Sequence, residues 1–209
     1  MGRDGTETKA QLRRAAEHLF ARHGIDAVAV RDIVELAGQR NDSALHYHFG
    51  SRAGLLDVIV EFHNAEQQAR VQELLKMVVA EGGADERLRH LFTVLTLPIS
   101  EKLQSDEGRD YLRILAELTA KGEPPGYDAN EDNGAYAECL AQVAQTLVDA
   151  GVTGDVLIER MQRLTELVVF SVAGRARRID EGATVHLDDE RFVSNLIEMA
   201  IGACLAPIP

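Results

Sequence analysis

Apolar residues recur along most of this chain three or four positions apart, as they do on one face of an α-helix. No segment sustains the alternation of apolar and polar residues that predicts a strand, and glycine and proline fall mainly between the periodic segments. The first stripe predicts a helix over about residues 8–23, which Gly24 would end in a left-handed conformation. The apolar residues of this stripe are Leu12, Ala15, Ala16, Leu19 and Phe20. The pattern as a whole predicts an all-α protein.

The same periodicity predicts eight further helices. They lie over about residues 30–37, 42–48, 52–81, 85–103, 107–121, 135–150, 155–179 and 188–205. The second helix would bury Ile33, Leu36 and Ala37. Pro98 lies inside the fifth helix and should kink or break it. The segment 122–134 is rich in glycine, proline and acidic residues, which is typical of an exposed loop.

A dense group of hydrogen-bonding side chains surrounds the third predicted helix. Its members are Arg40, Asn41, Asp42, Ser43, His46, Tyr47 and His48. Asn41 would cap this helix, and Leu45 and Phe49, four residues apart, would pack back onto the first two helices. Taken alone, the group fits a polar turn in a helical bundle as well as it fits a helix-turn-helix whose second helix enters the DNA major groove.

Composition narrows the possible classes of protein. No stretch of eighteen residues is uninterruptedly apolar, and the first ten residues lack the apolar core of a secretory signal, so we expect a cytoplasmic protein without a membrane span. Cys139 and Cys204 are far apart, which fits a reducing compartment better than a disulfide scaffold. His46 and His48 are two residues apart on a predicted helix and point in different directions, so we expect no metal site and no cofactor.

The net charge of −12 by itself argues against a nucleic-acid partner, but this charge is not evenly distributed along the chain. Residues 1–50 carry seven Lys and Arg and seven Asp and Glu, so the whole acidic excess lies in residues 51–209. A neutral N-terminal segment is repelled by phosphate far less than the rest of the chain. This asymmetry permits DNA binding by the N-terminal segment without demonstrating it.

Three segments of the chain fit one specific pattern in combination. They are LRRAAEHLFARHG (12–24), VRDIVELAG (30–38) and LHYHFGSRAGLL (45–56). Together they resemble the DNA-binding domain of the TetR family of bacterial transcriptional regulators. The resemblance implies a three-helix helix-turn-helix DNA-binding domain over residues 1–51 and a larger helical effector-binding and dimerisation domain over residues 52–209. It makes DNA binding the favoured interpretation of the polar group.

The chain departs from the pattern of the resembled family at three places. Val28 and Ala29 stand where the family usually has the Thr or Ser that caps the second helix and contacts a phosphate. Gln39 and Arg40 fill a turn that is commonly one residue shorter. Asp42 stands where many members have a basic or small residue, and its carboxylate would repel phosphates but could accept from a cytosine amino group. The operator therefore cannot be predicted from the family pattern.

We predict that nine residues contact double-stranded operator DNA. The phosphate contacts would be made by Arg31, Tyr47, His48 and Arg52, and the base sequence would be read by Arg40, Asn41, Asp42, Ser43 and His46. The resemblance also implies how the DNA is released. A small molecule in the second domain would shift the long helix that starts at Arg52, and this would change the separation of the two DNA-binding domains in a dimer.

Residues 164–173, LTELVVFSVA, are apolar on nearly all sides, which is typical of a helix buried on more than one face. A central core helix fits this pattern, and so does a helix that packs both on the core and on a second copy. In the resembled family the last two helices form a four-helix interface with their twins, so we predict a homodimer. The predicted interface residues are Leu164, Leu167, Val168, Ser171, Phe192, Leu196 and Met199.

The predicted effector site rests on residues of helices that should face one another. They are Phe92, Thr96, Ile99, Tyr111, Leu115 and Phe170. Ordinary core packing explains any single one of them as well. The kink expected at Pro98 favours a cavity, in which Thr96 and Tyr111 would orient a mostly apolar ligand.

We therefore predict a DNA-binding transcriptional regulator, a homodimeric repressor that a small, largely apolar ligand releases from its operator. An enzyme is disfavoured, because the sequence has no nucleophile elbow, phosphate loop or HExxH motif. A helical ligand-binding or interaction protein with a degenerate DNA-binding domain is the alternative. The operator sequence, the identity of the effector, the regulated genes and the choice between repression and activation do not follow from the sequence.

Overall fold

The computed structural model describes residues 2–77, 83–122 and 134–208, and every regular element within these ranges is helical. The elements are α1 (Gly2–His23), α2 (Val30–Leu36), α3 (Ser43–Phe49), α4 (Arg52–Leu75), α5 (Ala84–Glu101), a 3₁₀ helix (Lys102–Gln104), α6 (Asp106–Ala120), α7 (Gly134–Asp149), α8 (Gly154–Asp180) and α9 (Asp189–Cys204). The predicted all-α fold is confirmed. None of the helices described has both the length and the apolar character that crossing a bilayer requires.

Most helices begin and end within two residues of the predicted limits. The exceptions are α1, which begins earlier, at Gly2, and α4, which ends at Leu75. The predicted end of the fourth helix at residue 81 and most of the predicted loop 122–134 lie outside the described residues. Pro98 does not break α5, which continues to Glu101, because the proline lies in the last turn of the helix and removes a single backbone hydrogen bond there.

Helices α1, α2 and α3 form an N-terminal unit around a small apolar core. The stripe predicted on α1 is buried except at Leu19, which is half-buried. On α2 the prediction for Leu36 was wrong, since 53% of this residue is exposed while Ile33 and Val34 are buried. At about 100° per residue, a face centred between Ile33 and Val34 leaves Leu36 roughly 110° away. The short helix thus presents a leucine to the surface.

The core of the N-terminal unit continues into the rest of the chain. Its buried apolar side chains are contiguous with those of α4, α6 and α8. A second buried cluster joins α5, α7 and α9 with the remaining parts of α4 and α8. The domain boundary after residue 51 stays a prediction, because packing runs across it without a gap. The N-terminal unit rests directly on α6, along which α1 lies.

Candidate nucleic-acid interface

Helix α3 is anchored by one face and exposed on the other. Leu45 is fully buried and Phe49 nearly so, as predicted from their spacing. Gly50 ends the helix with a φ of 70°, a conformation that glycine adopts without strain. On the outer face, Ser43 and His46 are exposed, and 85% of Tyr47 is exposed although its ring is large and largely apolar. The fold therefore holds the helix rigidly and leaves its polar face open to a partner.

Asn41 orders the chain just before α3. Its side-chain oxygen accepts hydrogen bonds from the backbone N–H and the hydroxyl of Ser43, both at 2.9 Å. The predicted contact with a first-turn N–H is confirmed, although the capping position belongs to Asp42, whose side chain makes no cap bond. Arg40, Asn41 and Asp42 are all exposed. They project at the tip of the helix-turn-helix, beside the outer face of α3.

The two histidines of α3 differ in their freedom. His46 Nδ1 lies 3.0 Å from the carbonyl oxygen of Gly50, so this nitrogen donates its proton inward and the ring presents Nε2 outward. His48 is half-buried, with its ring centroid 5.1 Å from that of Tyr47 and 6.1 Å from that of Phe49. His46 can therefore approach a base edge, whereas the ring of His48 packs beside those of Tyr47 and Phe49.

Two arginines predicted to contact phosphates have different surroundings. Arg31 is highly exposed, and its one described ion pair is a 3.9 Å contact with Asp32. Arg52 instead donates from Nη1 to the carbonyl oxygens of Ile25, Asp26 and Val28, at 2.8, 3.0 and 3.2 Å. These bonds tie the start of α4 to the connection between α1 and α2. A phosphate contact by Arg52 stays a prediction, and its structural role was not foreseen.

No side chain caps the start of α2, as the sequence predicted. Ala29 occupies the capping position and offers no side-chain acceptor. Asp32 lies in the first turn, where a carboxylate stabilises the positive end of a helix. The helix forms nevertheless, because Ile33 and Val34 bury its inner face.

Beneath this interface, α1 meets α4 and α6 through a group of charged side chains, which we term the junction cluster. Its members are Arg13, Glu17, His63, Lys102 and Glu107. Arg13 bridges two carboxylates, donating to Glu17 at 2.8 Å and to Glu107 at 2.5 Å. His63 Nε2 and Glu17 Oε1 are 2.6 Å apart, and Lys102 Nζ donates to His63 Nδ1 at 2.9 Å. A continuous polar chain thus joins α4 and the 3₁₀ helix to α1 and α6.

Burial and neighbouring charges control protonation within the junction cluster. Burial raises the pKa of Glu17 to about 8, although the positive charge of Arg13 opposes this shift. Burial also lowers the pKa of His63 to about 3, and the positive charge of Lys102 adds to this shift. A lysine ammonium can only donate, so His63 Nδ1 accepts and the ring proton lies on Nε2, facing Glu17. The Tyr111 ring stacks on His63 with centroids 4.0 Å apart.

Further polar contacts fasten α1 along α6 and the end of α8. His18 Nδ1 lies 2.9 Å from the buried carboxylate of Asp110, and Arg22 donates to Asp180 at 3.2 Å. Just past α1, the backbone N–H of Ile25 donates to Glu117 at 3.0 Å. These contacts were not predicted, because charged residues on the outer face of an amphipathic helix usually face solvent. They show that α6 supports the N-terminal unit along much of its length.

Beside the junction cluster is a pocket of about 300 Å³ between α4 and the connection from α5 to α6, which we term the junction pocket. Its wall includes Phe62, Glu66, Arg70, Glu101, Lys102 and Glu107. Gly108 completes the wall at the start of α6, where a Cβ atom would lie 2.2 Å from the Lys102 carbonyl oxygen. Only glycine permits this close approach.

The six residues predicted to bind an effector do not surround one cavity. Phe92 and Ile99 line an apolar cavity of only about 30 Å³, and Tyr111 is buried against His63. Thr96 and Leu115 are buried, whereas 42% of Phe170 is exposed, so the prediction of Phe170 as an internal ligand contact was wrong. Interleaved apolar side chains of four helices fill the predicted cavity, so it has no room for an effector in this conformation.

The residues predicted to form a dimer interface also divide into two groups. Leu164 and Leu196 are buried within the protomer, and Val168 lines the small inner cavity. Leu164 and Leu196 were therefore wrong as surface contacts, because the helices turn them toward their own core. Val168 is half-buried. Leu167, Ser171 and Phe192 are half-buried, and 51% of Met199 is exposed.

Comparison with known proteins places the chain among bacterial regulators. Residues 12–59 match the family model described as bacterial regulatory proteins, tetR family. The chain is 32% identical over 150 residues to the probable HTH-type transcriptional regulator ArpR of Pseudomonas putida, a match that covers 59% of this chain and 71% of ArpR. It is 34% identical over 98 residues to the HTH-type transcriptional regulator TtgR, also of Pseudomonas putida, a match that covers 45% of each chain.

The fold has a counterpart of known structure. The TetR family transcriptional regulator PfmR from Thermus thermophilus matches with a TM-score of 0.57 and 19% sequence identity. The alignment covers 91% of this chain and 96% of PfmR. At this identity the similarity speaks for the fold alone, and it extends over almost the whole chain, well beyond the segment that matches the family model.

Proposed function

The chain belongs to the TetR family of bacterial regulatory proteins, and we propose that it acts as a homodimeric repressor that a small ligand releases from its operator. The observation that carries the proposal is the outer face of α3. Ser43, His46 and Tyr47 are exposed there on a helix whose other face is fixed in the core. A rigid helix with an open polar face suits insertion into the major groove.

Residues at the tip of the helix-turn-helix and on the outer face of α3 would together recognise the DNA bases. Asn41 and Ser43 hold each other in place, which lowers the entropy that the tip loses on binding. His46 offers an outward ring nitrogen to a base edge, and Tyr47 offers a hydroxyl to a phosphate. Arg31 is an exposed cation at the start of α2 and would supply affinity that does not depend on sequence, whereas the exposed Arg40 in the turn would reach a base edge.

The first experiment selects duplexes from a random pool with purified protein and titrates the enriched sequence against salt. If two to three cations on each protomer contact phosphates, the logarithm of the association constant falls with the logarithm of salt concentration with a slope of about −4 to −5. Fluorescence anisotropy of a labelled duplex measures this slope. Failure to enrich any sequence with a folded protein would exclude the proposed function.

The dimer would form through the outer faces of α8 and α9. Phe170 and Met199 are large apolar residues that are 42% and 51% exposed. Gly174 and Gly202 lie on the same helices, and a Cβ atom at either position meets no atom within 4 Å. Exposed apolar residues next to glycines allow two helices to approach closely, and a two-fold interface repeats each contact.

Replacing Gly202 by arginine is expected to raise the dimer dissociation constant at least about 100-fold, since the bulky cation enters a two-fold interface twice. Sedimentation velocity over a concentration series measures the change. The Gly202→Ala variant is the matched control and should remain dimeric. An arginine variant that stays dimeric at the same concentrations would place the interface elsewhere.

Release of the operator would work through α1 as well as α4. The N-terminal unit is fastened to α6 by the contacts of Arg13 and Ile25, and to the end of α8 by the contact of Arg22. A ligand that binds differently to two arrangements of α4 and α6 would therefore bias the position of α3. The junction pocket has room for such a ligand and adjoins α1 through the junction cluster. A larger pocket of about 410 Å³ is lined instead by residues of α5, the 3₁₀ helix and α9.

A further inference from the structure

We infer that the junction pocket binds an organic ammonium ion with a short aromatic or aliphatic body, and that this binding is linked to the position of the N-terminal unit. The inference rests on the proposed function and names the chemical class of its effector. The pocket volume of about 300 Å³ lies at the lower end of small-molecule sites, which span about 300–1,000 Å³.

The charges of the pocket wall favour a cation. Three carboxylates, Glu66, Glu101 and Glu107, face two cationic side chains, Arg70 and Lys102. Both cations are already held by two acceptors each. Lys102 binds Glu66 at 2.5 Å and His63 at 2.9 Å, and Arg70 binds Glu101 and Glu73 at 3.1 Å.

The carboxylates retain acceptor capacity. In the contacts described, each of Glu66, Glu101 and Glu107 uses one oxygen and leaves the other for a donor. The wall also carries three carboxylates against two cationic side chains, and this excess of negative charge favours an ammonium group over a carboxylate. Lys102 shows that this environment accepts an ammonium group, since its own lies between Glu66 and His63.

The apolar part of the wall suggests what the ammonium ion should carry. Phe62 is 40% exposed, and its ring already has the Arg13 guanidinium 4.0 Å from its centroid. Pro98 supplies a second apolar surface. An aromatic ring or short alkyl chain can lie against these two residues while its cation meets the carboxylates.

A cation in the pocket would affect α1 directly. Glu107 is one of the two carboxylates that Arg13 bridges, and Arg13 belongs to α1. A ligand ammonium that binds Glu107 weakens the attraction between this carboxylate and Arg13. By linkage, an arrangement of α1 without the Arg13–Glu107 bridge then binds the ligand more tightly. Occupation of the pocket and the position of the N-terminal unit are coupled by this shared carboxylate.

A divalent metal ion is the competing occupant. Glu17, His63 and Glu107 each offer a ligand atom, and these atoms lie within 4.8 Å of one another. However, Arg13 lies between the two carboxylates, and the Lys102 ammonium adjoins the histidine. A metal ion would have to displace both positive groups, whereas an ammonium ion binds in the open pocket beside them.

The test uses 2-phenylethylammonium chloride as probe, with 2-phenylethanol and 3-phenylpropionate as neutral and anionic counterparts and with Mn²⁺ and Zn²⁺ as metal probes. Isothermal titration calorimetry on the full chain should give saturable binding of the ammonium compound only. The double variant Glu66→Gln, Glu107→Gln should weaken that binding by at least about tenfold for each lost charge. The Glu61→Gln variant removes a charge from an exposed position of α4 outside the pocket and should bind as the original does.

Several results would overturn the inference. One is that the ammonium compound does not bind up to millimolar concentration. Another is that the protein binds the propionate or a metal ion in preference to it, and a third is that the double variant binds the ammonium compound as tightly as the original protein. The single Glu66→Gln variant keeps the test valid if the double variant does not fold, since the Glu66 side chain is 56% exposed. Fluorescence anisotropy of a labelled operator duplex in the same samples distinguishes failure of the proposed function from failure of this inference. Absent operator binding refutes the proposed function, whereas intact operator binding that the bound ammonium compound leaves unchanged refutes the linkage.

Discussion

Replacing Tyr47 by alanine is expected to weaken operator binding by about 10- to 100-fold for each DNA-binding domain, the range that a single contact with a base or phosphate accounts for. The ring is 85% exposed, so its loss should leave the melting temperature unchanged within about 2 °C. Fluorescence anisotropy with the selected duplex measures the first quantity and circular dichroism the second.

Two further variants identify the group responsible. Tyr47→Phe keeps the ring and removes the hydroxyl, so it should reproduce most of the loss if the hydroxyl donates to a phosphate. Met77→Ala removes another large exposed side chain, 65% exposed just past the end of α4, and should change nothing. If Tyr47→Ala binds the duplex normally, α3 does not contact DNA in the predicted way. If both quantities fall together, Tyr47 has a structural role instead.

The helical pattern was predictable because helix formation here depends on short-range information. Spacings of three and four residues define the buried stripe of α1, and Gly24 and Gly38 mark the ends of α1 and α2 with φ values of 88° and 68°. Leu45 and Phe49 were placed correctly for the same reason, since they lie one turn apart on a short helix. The hydrogen bond that Asn41 accepts from Ser43 followed from capping chemistry, although the capping position itself lies one residue later, at Asp42.

The errors concern which face of a helix meets which neighbour. Leu164 and Leu196 were assigned to a partner, although they face the core of their own protomer. A helix that is apolar all round has the same sequence pattern whether a given side chain meets its own chain or a second copy. Phe170 was assigned to the interior for the same reason, and only the three-dimensional arrangement places it outside.

The junction cluster could not have been predicted from periodicity. Glu17 and His63 are separated by 46 residues in the chain, and the periodicity of their helices does not mark either residue as buried. Buried charges become predictable only when the packing of α1 on α4 and α6 is known, because their pairing offsets the cost of desolvation. The role of Arg52 was missed similarly, since its three carbonyl partners belong to a loop 24 to 27 residues away.

Replacing Glu17 by alanine is expected to lower the free energy of unfolding by about 1–3 kcal/mol, which is the usual cost of leaving a buried hydrogen-bonding group without its partner. The carboxylate accepts from Arg13 and lies 2.6 Å from His63, and only 1% of the residue is exposed. Its loss leaves His63 Nε2 buried without its acceptor and leaves Arg13 with Glu107 alone. Chemical denaturation at fixed protein concentration measures the change, and a loss under about 1 kcal/mol would show that water or another residue replaces the carboxylate.

The same residue should make stability depend on pH. A glutamate whose pKa rises on folding from 4.5 to about 8 contributes its full stability below pH 4.5 and loses it as the pH rises through 8. His63, whose pKa falls from 6.5 to about 3, contributes fully above pH 6.5 and loses its contribution as the pH falls toward 3. The two effects oppose each other between pH 4.5 and 6.5.

Between pH 6.5 and 8.5, only Glu17 among the shifted groups of the junction cluster makes the free energy of unfolding depend on pH. Burial raises the pKa of Cys139 from 9.0 to about 12, so this thiol adds a comparable effect only above pH 9. The free energy of unfolding should therefore decrease by about 1–2 kcal/mol across this window. The Glu17→Gln variant keeps the shape without the titration and should show a flatter profile. Parallel profiles for the two proteins would mean that Glu17 is ionised throughout, with the hydrogen bonds from Arg13 and His63 outweighing its burial.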